Sequence, residues 1–587
     1  SVPNMGMGYG YVKHEAMPDI CFNYLGDFGN ISESVEVYSC GRDIAEENSL
    51  PDRITINGQV VNGVLKFIIM SLNGQELADK LKKEFENSVE ELAGYCAEEK
   101  HEEKTASDYG ISDLSSKEFA EMQKNFKGEV EKIYNLTPLQ AGMLFHNLED
   151  RESTGYVVQS VYKTEFEVEA EKLREAIKLL SRRYEVLRTG FVYEKISEPK
   201  QIVYAEREPE LEILEAGDEE AKQIAEADIN RGFELSRDTM LRVKRINTGN
   251  GKSRIVLTVH HIIMDGWCMG TLVGKLFEYY FRLERGETEE KIEKEIAEER
   301  REAGEYSEYI EWLGKQDAEK AERYWEEELE GYENDCEIKA VRKPEPTEEQ
   351  MREMFGEANI DVTEKLKAEA ERTGSTINTA AEAAVGIMLQ TYTGSKDVVF
   401  GKVVSGRNAD IPGIEEMVGL FVNTIPVRVT AEGEITVTEL LKKQQKKDIE
   451  STNYDYCSLA EIQGKTVQGA ELIKVLYVFE NYMSGVSEEA SADEENSIRV
   501  ESAREQTNYG ISISGFESKD RLGFKIMYNP NEYCDEEINL IMERLLKICE
   551  EMAEKPDGKV SEIETVTEAE KKLILNDFNA TETEYPR

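Results

Sequence analysis

The run Arg254-Ile-Val-Leu-Thr-Val-His-His-Ile-Ile-Met-Asp-Gly-Trp267 decides how this chain is read. Ile255, Leu257 and Val259 recur at every second position, the period of a strand, and Asp265-Gly266 follows as a turn. The strand therefore delivers His260 and His261 at its end, the one adjacent pair among five histidines. Imidazole titrates nearest neutrality of all side chains, so one aimed by a rigid strand end can hold or move a proton. Asp265, four residues on, can fix the ring or the loop through charge-assisted bonds. Neighbouring strand side chains point to opposite faces, so both rings cannot easily reach one bound atom. The competing reading is a buried structural histidine beside an ordinary turn.

Composition sets bounds on the rest. At 587 residues and 40% hydrophobic content, with 13 prolines, the chain is long enough for about four globular domains. A net charge of −49 argues against a nucleic-acid backbone or an anionic membrane as partner, since both would be repelled. The eight cysteines are scattered, with no Cys-x-x-Cys and no zinc-ligand spacing, so reduced thiols in a cytoplasmic protein are expected and no metal. No apolar run reaches membrane-spanning length and no signal peptide is visible. The chain opens on Ser1-Val-Pro-Asn without Met and reads as part of something longer.

An internal repeat supports that reading. Ile20-Cys-Phe-Asn-Tyr-Leu25, a polar loop, Arg53-Ile-Thr-Ile-Asn57, Gly63-Val-Leu-Lys-Phe-Ile-Ile69 and a helix through Leu77, Leu81, Phe85, Val89 and Leu92 form one series. Val475-Leu-Tyr-Val-Phe479, an acidic loop, Tyr509-Gly-Ile-Ser-Ile-Ser514, Leu522-Gly-Phe-Lys-Ile-Met527 and a helix through Ile538, Ile541, Leu545 and Ile548 repeat it. The shared order suggests duplicated domains, the first present only as its tail. Residues 101–129 read as a surface linker, rich in turn and capping residues. The charged stretches 286–304 and 484–497 read as solvated surface.

Six motifs, in order, resemble the condensation domains of nonribosomal peptide synthetases, which share the chloramphenicol-acetyltransferase-like fold. They are Leu136-Thr-Pro-Leu-Gln-Ala-Gly-Met-Leu144, Arg183-Tyr-Glu-Val-Leu-Arg-Thr189, His260-His261-x-x-x-Asp265-Gly266, Tyr306-Ser-Glu-Tyr-Ile-Glu-Trp312, Val418-Gly-Leu-Phe-Val-Asn-Thr424 and Asn453-Tyr-Asp-Tyr-Cys-Ser458. The departures are Tyr184, where the family usually has a second histidine of the arginine motif, and Cys457, where proline or a small residue is common. Pro3-Asn-Met-Gly-Met-Gly-Tyr9 with Phe22-Asn-Tyr-Leu-Gly26 resembles the carboxyl end of an epimerization domain, and Leu573-Ile-Leu-Asn-Asp-Phe-Asn-Ala-Thr581 resembles the lead-in to an adenylation domain.

The resemblance implies a mixed α/β (α+β) architecture: two chloramphenicol-acetyltransferase-like lobes in a V, plus a small N-terminal α/β fragment. Expected boundaries are 1–100 for the epimerization-like fragment, 101–129 linker, 130–310 N-lobe, 311–565 C-lobe and 566–587 adenylation lead-in. It implies peptide-bond formation by attack of an acceptor aminoacyl-carrier amine on a donor peptidyl-carrier thioester, D donor to L acceptor. His261, second of the pair, is the expected functional imidazole, as general base or as hydrogen-bond acceptor for the amine; His260 is the more structural. Asp265 is expected to accept a bidentate arginine, with Arg407 as candidate and Arg183 and Arg188 as alternatives. Gly266 would let the backbone approach substrate and offer its N–H to the oxyanion. Asn423 either faces the channel from the second lobe or satisfies local backbone. No cofactor is expected on the chain itself; substrates arrive on phosphopantetheine arms of upstream and downstream peptidyl carrier domains, beside an adenylation domain. A non-catalytic carrier-docking or gating module, and a coenzyme A-dependent acyltransferase of the same fold, are the rival functions. A heterocyclization domain of the same fold would replace the histidine signature with paired aspartates, which His260-His261 opposes.

Overall fold

The computed structural model describes residues 19–27, 52–97, 104–150, 154–347, 349, 351–480, 497–504 and 509–579. The Pro3–Tyr9 motif, most of the acidic loop at 484–497 and the end of the adenylation-like tail lie outside them. The chain divides into two compact units, Ser1–Ser112 and Asp113–Arg587.

In the first unit, β1 (Ile20–Asp27) runs parallel to β2 (Ile54–Val61), which pairs antiparallel with β3 (Val64–Ser71) before the helix Gln75–Ala97. Phe67 of β3 meets Phe85 of that helix edge-on at 4.8 Å. Among the described residues of this unit only Gly58 is buried, so three strands and one helix enclose no core of their own.

The N-lobe of the second unit holds β4 (Val130–Asn135), β5 (Val157–Thr164), β6 (Thr189–Val192), β7 (Lys200–Tyr204), β8 (Glu210–Glu215), β9 (Leu241–Gly249) and β10 (Lys252–His260). The C-lobe contributes β11 (Arg352–Glu357), β12 (Asp397–Val404), β13 (Asn423–Thr430), β14 (Val475–Glu480), β15 (Ile498–Arg504), β16 (Ile511–Ser518) and β17 (Arg521–Tyr528). The C-lobe sheet has the order β11-β17-β16-β14-β12-β13, and a small N-lobe sheet has the order β4-β7-β6. Within the large sheet β14 is parallel to β16 and β16 antiparallel to β17, followed by the helix Asp535–Glu554. That is the pairing pattern of β1, β2 and β3.

Two segment assignments and one expectation of solvent exposure differ from the sequence reading. First, β15, from the stretch assigned to the C-lobe, joins the N-lobe sheet, whose order is β15-β5-β10-β9-β8. Arg254 on β10 holds it there with a buried guanidinium forked onto Glu501, Nη2 to Oε1 being 2.7 Å. Second, the expected linker carries a 3-10 turn at Ala106–Tyr109 and belongs to the second unit from Asp113 onward. The helix Ser116–Gln123, opened by a Ser115/Glu118 capping box, buries Phe119 and Met122, and Asp113 pairs with the buried Lys200 at 2.6 Å. Third, the charged stretch 286–304 is not all solvated: the helix Glu289–Ala303 buries Ile292 and Ile296 one turn apart. Its Glu289 pairs with Lys178 at 2.6 Å on the helix Ala170–Arg183. The short helix Glu568–Lys572 is tied back to the helix Asp535–Glu554 by Glu570 and Arg544, Nε to Oε2 3.2 Å.

The strand β10 is central and covered on both faces. Ile255, Leu257 and Val259 enter the main N-lobe core, while Val256 packs with Val161, Ile246 and Ala221 on the other side. Such a strand resists bending, which is what a side chain aimed from its end requires.

Candidate active site

Strand β10 ends at His260, and His261 opens a short 3-10 turn, His261–Ile263. The two rings therefore part company. His260 is buried; its Nδ1 accepts the Ile262 N–H at 3.1 Å and its ring meets Phe233 edge-on at 5.9 Å. Burial, with His261 beside it, pushes its pKa down to about 3, so the ring is neutral and its lone pair is tied up by the backbone. His261 is only half-buried, and its Nδ1 lies 3.0 Å from the Met264 carbonyl. A carbonyl can only accept, so Nδ1 carries a hydrogen, and in the neutral form of the ring the basic lone pair is on Nε2. The backbone N–H of His261 donates to Tyr156 O at 2.8 Å, from a tyrosine at φ +64°.

Asp265 fastens this loop to the other lobe. Only 1% exposed, it receives the Phe421 N–H on Oδ2 at 3.1 Å, while its own N–H donates to Gly419 O at 3.1 Å. Of the three candidate arginines, Arg407 reaches it, with Nη2 3.5 Å from Oδ1. The contact is single and long, not the bidentate fork expected. Arg407 gives Nη1 to the Ile414 and Met417 carbonyls at 2.6 and 3.0 Å, and its guanidinium lies 4.1 Å over Phe421. Cys268 fills the remaining gap, 3.2 Å from Asp265 Oδ1 and 3.1 Å from Arg407 Nη2; burial pushes its thiol well above the ordinary range, so it stays protonated. Gly406 makes this packing possible: its φ is +64°, and a Cβ there would lie 1.8 Å from Phe421 O.

The other two arginines sit elsewhere. Arg183 pairs with Glu299 at 3.0 Å and stacks on Tyr184, bracing two helices. Arg188 donates to Ser181 O at 2.8 Å and to Glu131 at 2.7 Å, and so ties a 3-10 turn to the β4-β7 edge. Asn423 takes the local alternative: its Nδ2 donates to the Asp455 and Cys457 carbonyls, both at 2.7 Å, so neither amide hydrogen is left for a channel. Gly266 is exposed at the N-cap of the helix Trp267–Glu284 with φ −62°, so no left-handed backbone demands a glycine there. What its position offers is the positive end of a long helix dipole next to His261.

Gln140 escaped the sequence reading. It is fully buried, its Nε2 donates to Ile262 O at 2.7 Å, and it closes the Thr137 capping box. The Thr-Pro-Leu-Gln spacing signals the cap, but not that the same amide reaches the histidine loop. Tyr306 likewise donates to Leu420 O at 2.8 Å, from a motif with no visible polar destination. Among the described residues no cluster of His, Cys, Asp or Glu could hold a metal ion, and no helix is long and apolar enough to cross a membrane.

Residues 130–575 match the profile of the Condensation domain family. The chain belongs to that family. It is 33% identical to bacitracin synthase 3 and 32% identical to bacitracin synthase 1, both of Bacillus licheniformis, in each case over all of its own length. It spans 10% and 12% of those proteins respectively. Among solved structures, the X-domain from teicoplanin biosynthesis (18% identity, TM-score 0.63, 73% of this chain and 97% of that one) shares its fold. So does the condensation domain of the Monacolin K polyketide synthase (16% identity, TM-score 0.60, 74% and 100%). As a condensation domain of the nonribosomal peptide synthetase kind, it is an acyltransferase that forms peptide bonds.

Proposed function

We propose that this condensation domain couples a D-ended peptidyl donor to an L-aminoacyl acceptor, each held as a thioester on the phosphopantetheine arm of a neighbouring carrier domain. The acceptor amine attacks the donor carbonyl, a C–N bond forms, the C–S bond breaks, and the amine's proton ends on the departing thiolate. His261 accepts a hydrogen bond or the proton from the attacking amine through Nε2. The Met264 carbonyl on Nδ1 is the observation that carries this assignment, because it selects the tautomer that an incoming N–H requires. His260, buried with Nδ1 engaged by backbone, keeps the loop in shape. Gly266 and the helix terminus behind it favour the negative charge that develops on the carbonyl oxygen. A thioester is already activated, so alignment of the two arms supplies most of the acceleration. On this reading the first unit is the closing part of an epimerization domain, which would furnish the D-ended donor, and the segment from 566 leads to an adenylation domain.

The test loads D- and L-ended donor thioesters on a carrier and offers an L-aminoacyl carrier as acceptor. Dipeptide should form faster from the D donor, and His261→Ala should lower the rate by roughly 100-fold or more, the scale of a lost acid–base group, while carrier affinity stays. Equal rates from both donors would remove the stereochemical assignment, and an unimpaired His261→Ala would remove the ring from the chemistry. Turnover of a free coenzyme A thioester at the same rate would favour the rival acyltransferase; binding of both carriers without product would favour gating.

A further inference from the structure

The motifs Tyr306–Trp312 and Asn453–Ser458, and the loop continuing from Arg407, have no part in the chemistry above. The fold brings them to one cavity of about 220 Å³. Tyr309 and Trp312 stack there at 5.8 Å with 16° between their planes, and Tyr456 stands edge-on to Trp312 at 6.0 Å. Asn408, Thr452 and Asn453 line it and are exposed, so it is open to solvent, while Asp455, also in its lining, is 5% exposed.

The charge of Asp455 is what sets the cavity apart. Its Oδ2 accepts from Asn408 Nδ2 at 2.9 Å, yet among the described residues its carboxylate has no cationic partner. The other four buried carboxylates among the described residues of the lobe are paired: Glu369 with Arg372 at 2.7 Å, Glu382 with Lys402 at 2.5 Å, Glu551 with Lys555 at 2.7 Å and Glu480 with Lys525 at 3.5 Å. Desolvation pushes the Asp455 carboxyl up to about 6, against the pull of Asn408. A buried carboxylate beside three aromatic rings is the setting in which a cation is favoured twice, by charge-assisted bonds and by the ring faces.

We infer that this cavity is a binding site for a small organic cation of the primary alkylammonium class, its charge on Asp455 and its stem against Trp312, Tyr309 and Tyr456. The volume lies below the roughly 300 Å³ at which drug-sized ligands begin, so the occupant is short. Asn408 directly follows Arg407, so an occupant steadies the loop that meets Asp265. This site is separate from the reaction proposed above, and its test uses no carrier and no thioester.

The full 587-residue chain is titrated with n-butylammonium chloride by calorimetry and by tryptophan fluorescence, with 1-butanol and sodium chloride as controls. One saturable site per chain is expected, with a change in Trp312 emission and a rise in Tm; 1-butanol should bind at least roughly tenfold more weakly. Asp455→Asn should weaken n-butylammonium binding by about tenfold or more, and Trp312→Leu by about threefold or more. Absence of a saturable site, equal binding of 1-butanol, or unchanged affinity in Asp455→Asn would each overturn the inference. Should Asp455→Asn fail to fold, Trp312→Leu read by calorimetry and the 1-butanol control decide the matter.

Discussion

At the scale of single residues, burial has opposite consequences for a base and an acid. His260 is held neutral with its pKa near 3, so as pH falls below 6.5 the unfolded chain takes up a proton that the folded one refuses. Its contribution is therefore complete above pH 6.5 and lost as pH falls toward 3, by about 1.4 kcal/mol per pH unit. His260→Asn keeps an acceptor for the Ile262 N–H but does not titrate. Urea unfolding at pH 7.5 and 5.5 should show the wild type losing more stability than this variant over that interval; parallel losses would place the acid sensitivity elsewhere. Asp455 runs the other way. Its raised pKa favours folding below 3.8 and loses that advantage as pH rises through 6, so at pH 8 the ionised carboxylate opposes folding. Asp455→Asn should gain about 1–3 kcal/mol at pH 8 and nothing below pH 4, read from the same unfolding curves. The histidine pair was visible in the sequence because its strand alternates. The tautomer of His261 was not, because it depends on the Met264 carbonyl, which only the turn geometry brings within 3.0 Å.

At the scale of elements, two polar staples join segments far apart in sequence. Asp265 and Phe421 are separated by 156 positions, Arg254 and Glu501 by 247. Asp265→Ala leaves the Phe421 N–H unmet and the Arg407 charge without its counter-ion, in a buried setting where losing one partner costs about 3–5 kcal/mol. The lower part of that range is expected, because Arg407 retains two carbonyls. Chemical denaturation measures it, and a fully stable variant would contradict the stapling role. For Arg254→Met and Glu501→Gln, a double-mutant cycle should return a coupling of about 0.5–2 kcal/mol, since the guanidinium is buried while Glu501 is exposed. Additive effects would mean that β15 is held by its backbone pairing with β5 alone. Local elements were legible here: the helix Ala170–Arg183 carries Leu173, Ile177 and Leu180 at helical spacing, and all three are buried. The addition of β15 to the far sheet was not, because nothing in Ile498–Arg504 records which of two sheets it will extend. Motif resemblance named Asp265's partner only as one of three arginines; the choice of Arg407 depends on the close approach that Gly406 permits.

For the whole molecule, the distribution of buried apolar side chains separates the two units. The N-lobe core gathers Leu173, Ile255, Leu257 and Phe421 and the C-lobe core Leu366, Phe400, Ile526 and Leu545, while the described part of the first unit buries a single glycine. Sequence order had suggested a duplicated three-strand-plus-helix segment, and the pairing of β1, β2 and β3 has the pattern of β14, β16 and β17. The difference lies in what surrounds each copy. In the C-lobe, β12 flanks β14, β11 flanks β17, and the helix Asp535–Glu554 buries nine side chains, whereas the helix Gln75–Ala97 buries none. Stability should follow burial, because apolar area removed from water is the main favourable contribution to folding and the described residues of the first unit form no core to offset chain entropy. A chain beginning at Asp113 is therefore expected to unfold cooperatively within a few degrees of the full-length Tm and to retain its rate of dipeptide formation. Residues 1–112 alone should show no cooperative thermal transition. Calorimetry of the two pieces checks both statements. Collapse of the shorter chain, or a sharp transition in the isolated first unit, would show that burial within each unit is not what sets the stability of the whole.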